Sequence, residues 1–316
     1  MLELISLGVI LDWIIGDPPN WPHPVRFFGW WIRRLENFIR MTFKNLYIGG
    51  LFLWIFALAL PLGILAMLNL MLPKIIFDVI SVYLFFACLA AKCLKDEAMK
   101  VKKFIDADAL EASQKELGYL VGRDTKNLTK PQVLRGIVET VSENTVDGIL
   151  APIFYMFIGL PLGLSVYFVV AYKIINTLDS MVGYKQAPYK EIGFVSAKVD
   201  DVFNYIPARL GSIMMLIAGA ILRKDLKNGI KVLIRDRRNH KSPNCGYPEA
   251  TTAGLLNIQL GGTNTYFGEV VVKPTIGDAK KILETSDIVA SVQMIYVSEV
   301  LLIGLSILLI KMTEVL

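Results

Sequence analysis

The chain has 316 residues, of which 54% are hydrophobic and 19% are charged, and its mean hydropathy is +0.51. The charged fraction lies below the roughly 25% of a soluble domain, which favours an integral membrane protein. The net charge of +5 is too modest to indicate a nucleic-acid partner. No cysteine pair has disulfide or zinc spacing. Without a linker-like tract, residues 1–316 are predicted to form one integral membrane domain.

The first predicted element is a short apolar segment, residues 2–15, which makes a marginal span and contains Asp12. A carboxylate at membrane depth is costly and usually functional, so Asp12 is a candidate contact for substrate. The segment lacks a basic start and a cleavage site, so it is not expected to be a removed signal peptide. Four prolines stiffen the loop that follows, which carries Asp17, His23 and Arg26. A structural turn that covers a helix end is the alternative role for His23.

Three longer apolar runs are predicted to cross the bilayer: residues 47–72, 75–94 and 288–310. Each approaches or exceeds the roughly 20 residues that a spanning helix needs. Only Pro73 and Lys74 separate the first two, so a tight turn joins them.

A charged stripe follows on the next predicted helix. Arg135, Glu139, Glu143 and Asp147 recur every fourth residue, which places them on one helical face. Three acids repel one another and one base compensates, so a bound Mg²⁺ would offset the excess charge. The alternative is a solvated face with a single Arg–Glu pair.

Residues 148–172 form an uncharged apolar run that Gly159-Leu-Pro-Leu-Gly163 interrupts, and residues 148–175 are predicted to form a broken hairpin. Glycine and proline favour a break, and irregular backbone at membrane depth is tolerated where protein covers it. Two half-helices would return the chain to the side it left, which would bring Asp147 close to Asp179. The latter lies in a second polar motif, residues 176–185.

Loop charges favour this broken or re-entrant hairpin. Residues 95–147 hold nine Lys and Arg, and residues 223–241 hold eight, which predicts that both are cytoplasmic. Residues 205–222 then form a short apolar helix that does not cross. In the alternative topology, this helix and the broken run both cross and leave residues 173–204 outside.

A second acidic motif precedes the short apolar helix. Asp200, Asp201 and Asn204 form a D-D-x-x-N pattern that resembles Mg²⁺ sites of diphosphate chemistry, and Arg209 follows as a phosphate clamp. Its alternative is an ordinary helix start, where acids are favoured. The last long loop, residues 235–249, has the composition of a shaped, ligand-contacting loop, although ordinary positive-inside charge explains its basic half. No Walker A or G-x-G-x-x-G motif occurs.

These motifs together resemble the CobD/CbiB family of cobalamin biosynthesis, the adenosylcobinamide-phosphate synthases. The two longest and most specific stretches run from Val138 to Gly148 and from Asn176 to Lys185. Cys245 and the pair Thr251-Thr252 depart from the family pattern, where small residues such as alanine are expected. The other matching stretches, in chain order, are Leu11-Asp12, Gly16-Asp17-Pro18-Pro19, His23-Pro24-Val25-Arg26, Gly122-Arg123-Asp124-Thr125, Ala151-Pro152, Ser196-Ala197, Asp200-Asp201, Pro207-Ala208-Arg209, Ser242-Pro243-Asn244, Pro248-Glu249-Ala250, Gly261-Gly262 and Asn264.

The resemblance implies a multi-pass cell-membrane ligase. It would join a carboxylate of adenosylcobyric acid, a corrinoid, to (R)-1-aminopropan-2-ol or its phosphate, with ATP and Mg²⁺. We therefore expect an all-α, polytopic helical bundle with polar cytoplasmic loops, an active site that faces the cytoplasm, and membrane lipid around it. Two kinds of protein partner are left open: further copies of this chain in a homo-oligomer, and other membrane enzymes of the corrinoid pathway.

The individual roles are our own inference from residue chemistry. Catalysis is assigned to Asp179, His23 and Glu143. Metal binding is assigned to Glu139, Glu143, Asp147, Asp200 and Asp201. Substrate or phosphate binding is assigned to Asp12, Asp17, Arg26, Asn144, Asn176, Lys185, Asn204, Arg209, Asn244 and Glu249.

Two rival functions fit parts of the pattern. A membrane prenyl-diphosphate transferase would also use a D-D-x-x-N site, but it would need an apolar groove open to lipid. A transporter would explain broken helices, but it would place the acids deep in the bilayer.

Overall fold

The computed structural model describes residues 1–18, 21–266 and 268–315. Pro19 and Asn20 of the predicted proline-rich loop lie outside the described residues, as does Phe267. The helices, in chain order, are α1 (Leu2–Ile14), α2 (Pro24–Thr42), α3 (Leu46–Met71), α4 (Lys74–Cys88), α5 (Ala91–Asp106), α6 (Leu110–Gly118), α7 (Lys130–Thr145), α8 (Ala151–Ile158), α9 (Ser165–Val182), α10 (Phe194–Phe203), α11 (Tyr205–Ile221), α12 (Leu226–Asp236), α13 (Gly246–Leu256) and α14 (Thr285–Val315). A π-helical turn, Val146–Leu150, joins α7 to α8, and strands β1 (Leu260–Tyr266) and β2 (Glu269–Ile276) lie between α13 and α14.

The protein is mostly helical, and within its described residues three helical segments are long and apolar enough to cross a membrane: Leu46–Met71, Lys74–Asp106 and Thr285–Met312. They cover the three long spans that the sequence predicts. Helices α10 and α11 together also pass that criterion, as a bent pair. The 13 residues of α1 fall short of the roughly 17 that a span needs.

The first compact unit comprises residues 1–90 and 152–204. In it α1 packs on α4 and α2 packs on α3, while α9 contacts α2, α3 and α4. Asn45 begins α3 because its side-chain oxygen accepts hydrogen bonds from the Tyr47 and Ile48 amides, at 3.0 and 3.3 Å. This cap satisfies amides that would otherwise have no partner at the helix start.

Helical structure breaks within the predicted hairpin, between Ile158 and Ser165. The turn is closed by the Leu164 amide, which donates to the Gly159 carbonyl at 2.9 Å. On either side of it, the rings of Tyr155 and Tyr172 stack with centroids 4.9 Å apart. Helices α8 and α9 therefore lie side by side.

The second compact unit comprises residues 91–151 and 205–316. Helix α7 lies at its centre, in contact with α5, α6, α13 and α14. Val133, Ile137 and Val141 on α7 are fully buried, and burying each such side chain stabilises the fold by about 1.5–3 kcal/mol. A rigidly packed helix therefore carries the predicted charged stripe.

A two-stranded antiparallel sheet, which the sequence did not predict, adds to the helical fold of this unit. It pairs Leu260 with Ile276 at one end and Tyr266 with Glu269 at the other, with a bulge near Gly261. Gly261 has a φ of +77°, and a Cβ there would collide with the Pro274 carbonyl oxygen. Glycine is needed here to let the two strands approach.

Candidate functional site

The site residues predicted from the sequence divide between the two units, and each unit contains its own acidic cluster. Unit one holds Asp12, Asp17, His23, Arg26, Asn176, Asp179, Lys185, Asp200, Asp201 and Asn204. Unit two holds Glu139, Glu143, Asn144, Asp147, Arg209, Asn244 and Glu249.

Glu139 on α7 is buried in an ion-pair network of unit two. Its Oε2 accepts a hydrogen bond from Arg123 Nη2 at 2.8 Å, and its Oε1 accepts one from the Gly261 amide at 2.8 Å. Arg135, one turn earlier, lies 3.7 Å from Oε1. Both arginines also donate to Asn264 Oδ1, at 2.5 and 3.1 Å. Both carboxylate oxygens therefore have partners, and two guanidinium groups offset the charge.

Glu143 lies one turn further along α7 and faces a cysteine thiol. The Cys245 thiol donates to Glu143 Oε1 at 3.0 Å. Burial raises the pKa of Cys245, and the charges of Glu143 and Asp147 raise it further. The thiol therefore stays protonated and acts as a hydrogen-bond donor rather than as a nucleophile.

Asp147 departs from the predicted stripe in one respect. It lies in the π-helical turn after α7, where the turn is wider than in an α-helix. Arg135, Glu139 and Glu143 share α7 as predicted. The α-helical geometry that would place Asp147 on the same face does not extend to it. Its charge nevertheless acts on Cys245, as the Glu143 charge does.

Glu249, in the first turn of α13, is 5% exposed. Burial raises its pKa, and the charges of Glu139 and Glu143 add to the effect, while Lys273 and Arg123 oppose it. The raised pKa favours a protonated carboxyl group, which can donate a hydrogen bond or a proton.

Two basic residues that were not predicted as site residues, His240 and Lys273, lie beside these acids. The Ser242 amide donates to His240 Nδ1 at 3.0 Å, and Lys273 Nζ lies 3.3 Å from Nε2. Burial and the Lys273 charge lower the pKa of His240, so the imidazole is neutral. Lys273 lies on β2 outside any motif, so no local signal pointed to it. Arg123, which was also not predicted as a site residue, could have been found from the sequence, because it belongs to a stretch that matches the family.

Asp200 is the centre of the cluster in unit one. Asn204 Nδ2 donates to both of its carboxylate oxygens at 3.1 Å, and the Tyr172 hydroxyl donates to Asn204 Oδ1 at 2.9 Å. Asn176 also hydrogen bonds with Asp200, and Asp179 is near enough for the two charges to repel. The structure therefore brings together four residues that were predicted from two separate motifs.

Asp179 is held against the backbone at the end of α9. Its carboxylate lies over Gly183, where a Cβ would collide with Asp179 Oδ1. The glycine of the second polar motif thus leaves room for this carboxylate.

His23 lies at the start of α2, and both of its ring nitrogens have partners. Nδ1 accepts from the Val25 amide at 3.3 Å and caps the helix, and Nε2 lies 3.1 Å from Asp17 Oδ1. This pattern places the proton on Nε2. Arg26 donates to the Trp21 carbonyl at 3.3 Å. A cavity of about 200 Å³ lies here, with Lys173 in its wall.

Arg209 is placed between two tyrosine rings in unit two. Its guanidinium lies 3.3 Å from the Tyr205 ring centroid and 4.4 Å from that of Tyr247. It also donates to Asn244 Oδ1 at 3.3 Å. The stacking fixes the plane of the guanidinium.

The other four predicted site residues, which follow here, differ in their burial and contacts. Asp12 is 1% exposed on α1, whereas Lys185 is exposed after α9. Asp201 is half-buried beside Asp200, and Asn144 donates to the backbone carbonyl one turn earlier on α7 at 3.0 Å.

The arrangement of these acids determines whether a metal ion fits either cluster. Over the described ranges, no three His, Cys, Asp or Glu side chains converge as a ready-made metal site. Mg²⁺ in nucleotide sites needs only one or two carboxylates, since phosphates and water complete its shell. Asp147 and Glu143 in unit two fit that requirement, as do Asp200 and Asp201 in unit one. Glu139 fits it less well, because two guanidinium groups already offset its charge.

Comparison with known proteins places the chain in a family. The family model described as CobD/Cbib protein matches residues 5–295. A Clostridium perfringens protein named Cobalamin biosynthesis protein CobD is 48% identical over 293 residues, which cover 91% of each chain. Proteins of the same name from Listeria monocytogenes and Citrobacter koseri are 42% and 43% identical, and each alignment covers 94% of this chain and at least 93% of the relative. No solved structure matches.

The comparisons give no support to a prenyl-diphosphate transferase or to a transporter. They confirm the resemblance carried by the sequence motifs, which extends from the N-terminal segment into α14. The chain belongs to the CobD/CbiB family.

Proposed function

We propose that this protein is a membrane-bound, ATP-dependent ligase of cobalamin biosynthesis. It joins adenosylcobyric acid to (R)-1-aminopropan-2-ol or its phosphate, giving adenosylcobinamide or its phosphate. The observation that carries the proposal is the family match across residues 5–295, supported by two acidic clusters with buried carboxyl groups.

The proposed reaction has two steps. A carboxylate oxygen of the corrinoid attacks the terminal phosphorus of ATP, and ADP leaves, which gives an acyl phosphate. The amine nitrogen then attacks the acyl carbon, a C–N bond forms, and inorganic phosphate leaves as the amine loses a proton. The protein contributes positioning and charge stabilisation to both steps.

Mg²⁺ would offset the negative charge of the ATP phosphates, with carboxylates of the protein among its ligands. We assign this role to Glu143 and Asp147 in unit two and to Asp200 and Asp201 in unit one. Glu139 enters the proposal mainly as the residue that orients the arginines beside it.

The amine proton has two candidate acceptors, Asp179 and His23. The described contacts of His23 occupy both ring nitrogens, one of them in a helix cap. Asp179 is therefore the stronger candidate, and its carboxylate lies close to that of Asp200. Glu143 could pass a proton to or from a bound group. Arg26, Lys185 and Arg209 remain the proposed phosphate contacts.

The membrane arrangement is also part of the proposal. The segment around α8 and α9 re-enters the bilayer without crossing it, and the basic loops face the cytoplasm, where ATP is available. The loop charges and the break between α8 and α9 support this topology.

Calorimetric titration of the purified protein with adenosylcobyric acid, with and without Mg²⁺ and ATP, tests the proposal. We expect binding, and with amine present, a product whose mass equals that of the two substrates less one water. Binding without that product would count against ligation. A prenylated product from a prenyl diphosphate would favour the transferase instead.

A further inference from the structure

The outer face of α2 in unit one carries aromatic and basic side chains together. Helix α2 buries apolar side chains such as Phe28 and Ile32 on one side, and its other side is exposed. Trp30 is 50% exposed on that side. Arginines beside exposed aromatic rings are typical of a helix that lies at a membrane surface. The exposed residues of this face are Phe27, Trp30, Arg33, Arg34, Asn37, Phe38 and Met41.

This face of α2 adjoins the exposed surface of a candidate membrane span. Trp31 Nε1 donates to the Phe56 carbonyl of α3 at 3.0 Å. Phe56 stacks on Phe52, and both rings are exposed on a helix that is long and apolar enough to cross a membrane. The rings of Phe27 and Trp30 on α2 stack in the same way, with centroids 6.0 Å apart. The aromatic side chains of α2 therefore lie beside the lipid around α3, at an interface that favours tryptophan.

Two arginines of this face have no acidic partner. Among the residues that the structure describes, Arg33 and Arg34 form no ion pair and no hydrogen bond, and the Arg34 guanidinium lies 5.8 Å from the Trp30 ring centroid. The only acid of α2, Glu36, pairs with Arg40 at 2.8 Å. A charge beside the bilayer is costly unless it is paired. The two free guanidinium groups therefore favour an anion from outside the chain.

A shallow cavity of about 400 Å³ opens at the same place, lined by Trp30, Arg33, Arg34 and Asn37. Its volume falls within the roughly 300–1,000 Å³ of small-ligand pockets. The lining offers two guanidinium groups and one amide as donors, and it contains no acid. A guanidinium group matches the geometry of a phosphate and can bind two of its oxygens at once. The cavity therefore suits a phosphate group that lies beside an apolar surface.

We propose that this cavity binds the headgroup of an anionic phospholipid from the surrounding membrane. Arg33 and Arg34 donate to the lipid phosphate, the Asn37 amide donates to the phosphate or to a headgroup hydroxyl, and the Trp30 ring packs against the glycerol and upper acyl carbons. An anionic lipid is favoured over a zwitterionic one, because the lining has two positive charges and no acid to hold a headgroup amine. None of the four residues has a role in the proposed ligation, so the lipid site does not depend on it.

Fluorescence quenching in bilayers tests the lipid site. The full-length protein is reconstituted in phosphatidylcholine vesicles, and brominated phosphatidylglycerol or brominated phosphatidylcholine replaces a rising fraction of the lipid. Bromine quenches tryptophan on contact, and subtracting the signal of Trp30→Phe isolates Trp30 from the other tryptophans. The two quenching curves give the affinity for phosphatidylglycerol relative to phosphatidylcholine. Wild type should prefer phosphatidylglycerol about thirtyfold, since each arginine near an anionic surface contributes about 1 kcal/mol, or about fivefold in affinity.

Variants identify the charges that cause this preference. Combining Arg33→Gln with Arg34→Gln should leave nearly equal affinity for the two lipids. Each single change should leave a preference of about fivefold, which keeps the test decisive if the double variant does not fold. The matched control combines Lys103→Gln with Lys115→Gln, which removes two exposed charges from α5 and α6 in unit two and should keep the full preference.

Three results would overturn the proposal. The first is equal quenching of wild type by the two lipids, or a preference that the arginine changes leave intact or that the lysine control loses equally. The second is a Trp30 that neither brominated lipid quenches, because a protein surface such as a second copy of the chain would then cover this face. The third is loss of the phosphatidylglycerol preference when millimolar glycerol 3-phosphate is added, because the cavity would then hold a soluble phosphate rather than a lipid.

Discussion

Glu139→Gln provides the sharpest test of the buried network. The change removes the charge that offsets Arg123 and Arg135, and Arg123 then stays buried with less compensation. Removing one partner of a buried ion pair costs about 3–5 kcal/mol. Glutamine can still accept the hydrogen bond of the Gly261 amide, so we expect the lower end, about 3 kcal/mol. That is a large share of the roughly 5–15 kcal/mol that stabilises a typical domain.

The free energy of unfolding can be measured by urea titration in detergent. Glu143→Gln is the matched control, because it makes the same chemical change one turn later, at a carboxylate that accepts a thiol hydrogen bond worth about 1 kcal/mol. Adding Arg123→Gln to Glu139→Gln should cost less than the two single changes together, since no buried charge is then stranded. An unfolding free energy within about 0.5 kcal/mol of wild type for Glu139→Gln would refute the network, since ordinary surface changes have effects of that size.

Three further predictions concern the metal, the topology and pH. Asp147→Asn and Asp201→Asn should each abolish Mg²⁺-dependent product formation while gel filtration shows folded protein; full turnover in either variant would end its metal assignment. Gln186→Cys, in a cysteine-free background, should react with an impermeant maleimide from the cytoplasmic side only, and labelling from outside intact cells would favour two full crossings. The raised pKa of Glu249 means that its contribution to stability is present at low pH and is lost as pH rises above the ordinary value of 4.5. Glu249→Gln should therefore flatten the fall in melting temperature between about pH 5 and pH 8, whereas parallel curves for the two proteins would contradict the shift.

The sequence predicted the long helices well because an apolar run of sufficient length is a local signal. Leu46–Met71 and Thr285–Met312 follow directly from composition. The β-hairpin gave no such signal. Its first strand begins Leu260-Gly-Gly, and its second strand contains Pro274, and both residue types are unfavourable in strands. Pairing across the bulge, rather than strand propensity, determines this element.

The candidate site shows the same division between local and distant contacts. Arg135 and Glu139 are four residues apart on one helix, as are Asp200 and Asn204, and both pairs are in contact as their spacing indicates. The Cys245–Glu143 hydrogen bond joins residues 102 positions apart. Such a contact depends on how α13 packs on α7, which no local pattern encodes.

The contacts between residues distant in sequence also change which acids are the best candidates to bind Mg²⁺. The sequence suggested Mg²⁺ because three acids shared a stripe with one base. In the structure Arg123 provides a second base, and it pairs with Glu139. The negative charge of Glu139 is therefore already offset and gives little reason to expect a cation there. Glu143 and Asp147 are the better candidates for a Mg²⁺ site, and both of their charges act on the protonated Cys245 thiol. If Mg²⁺ binds in unit two, substitutions of these two acids should reduce its affinity, whereas Glu139→Gln should act mainly on stability.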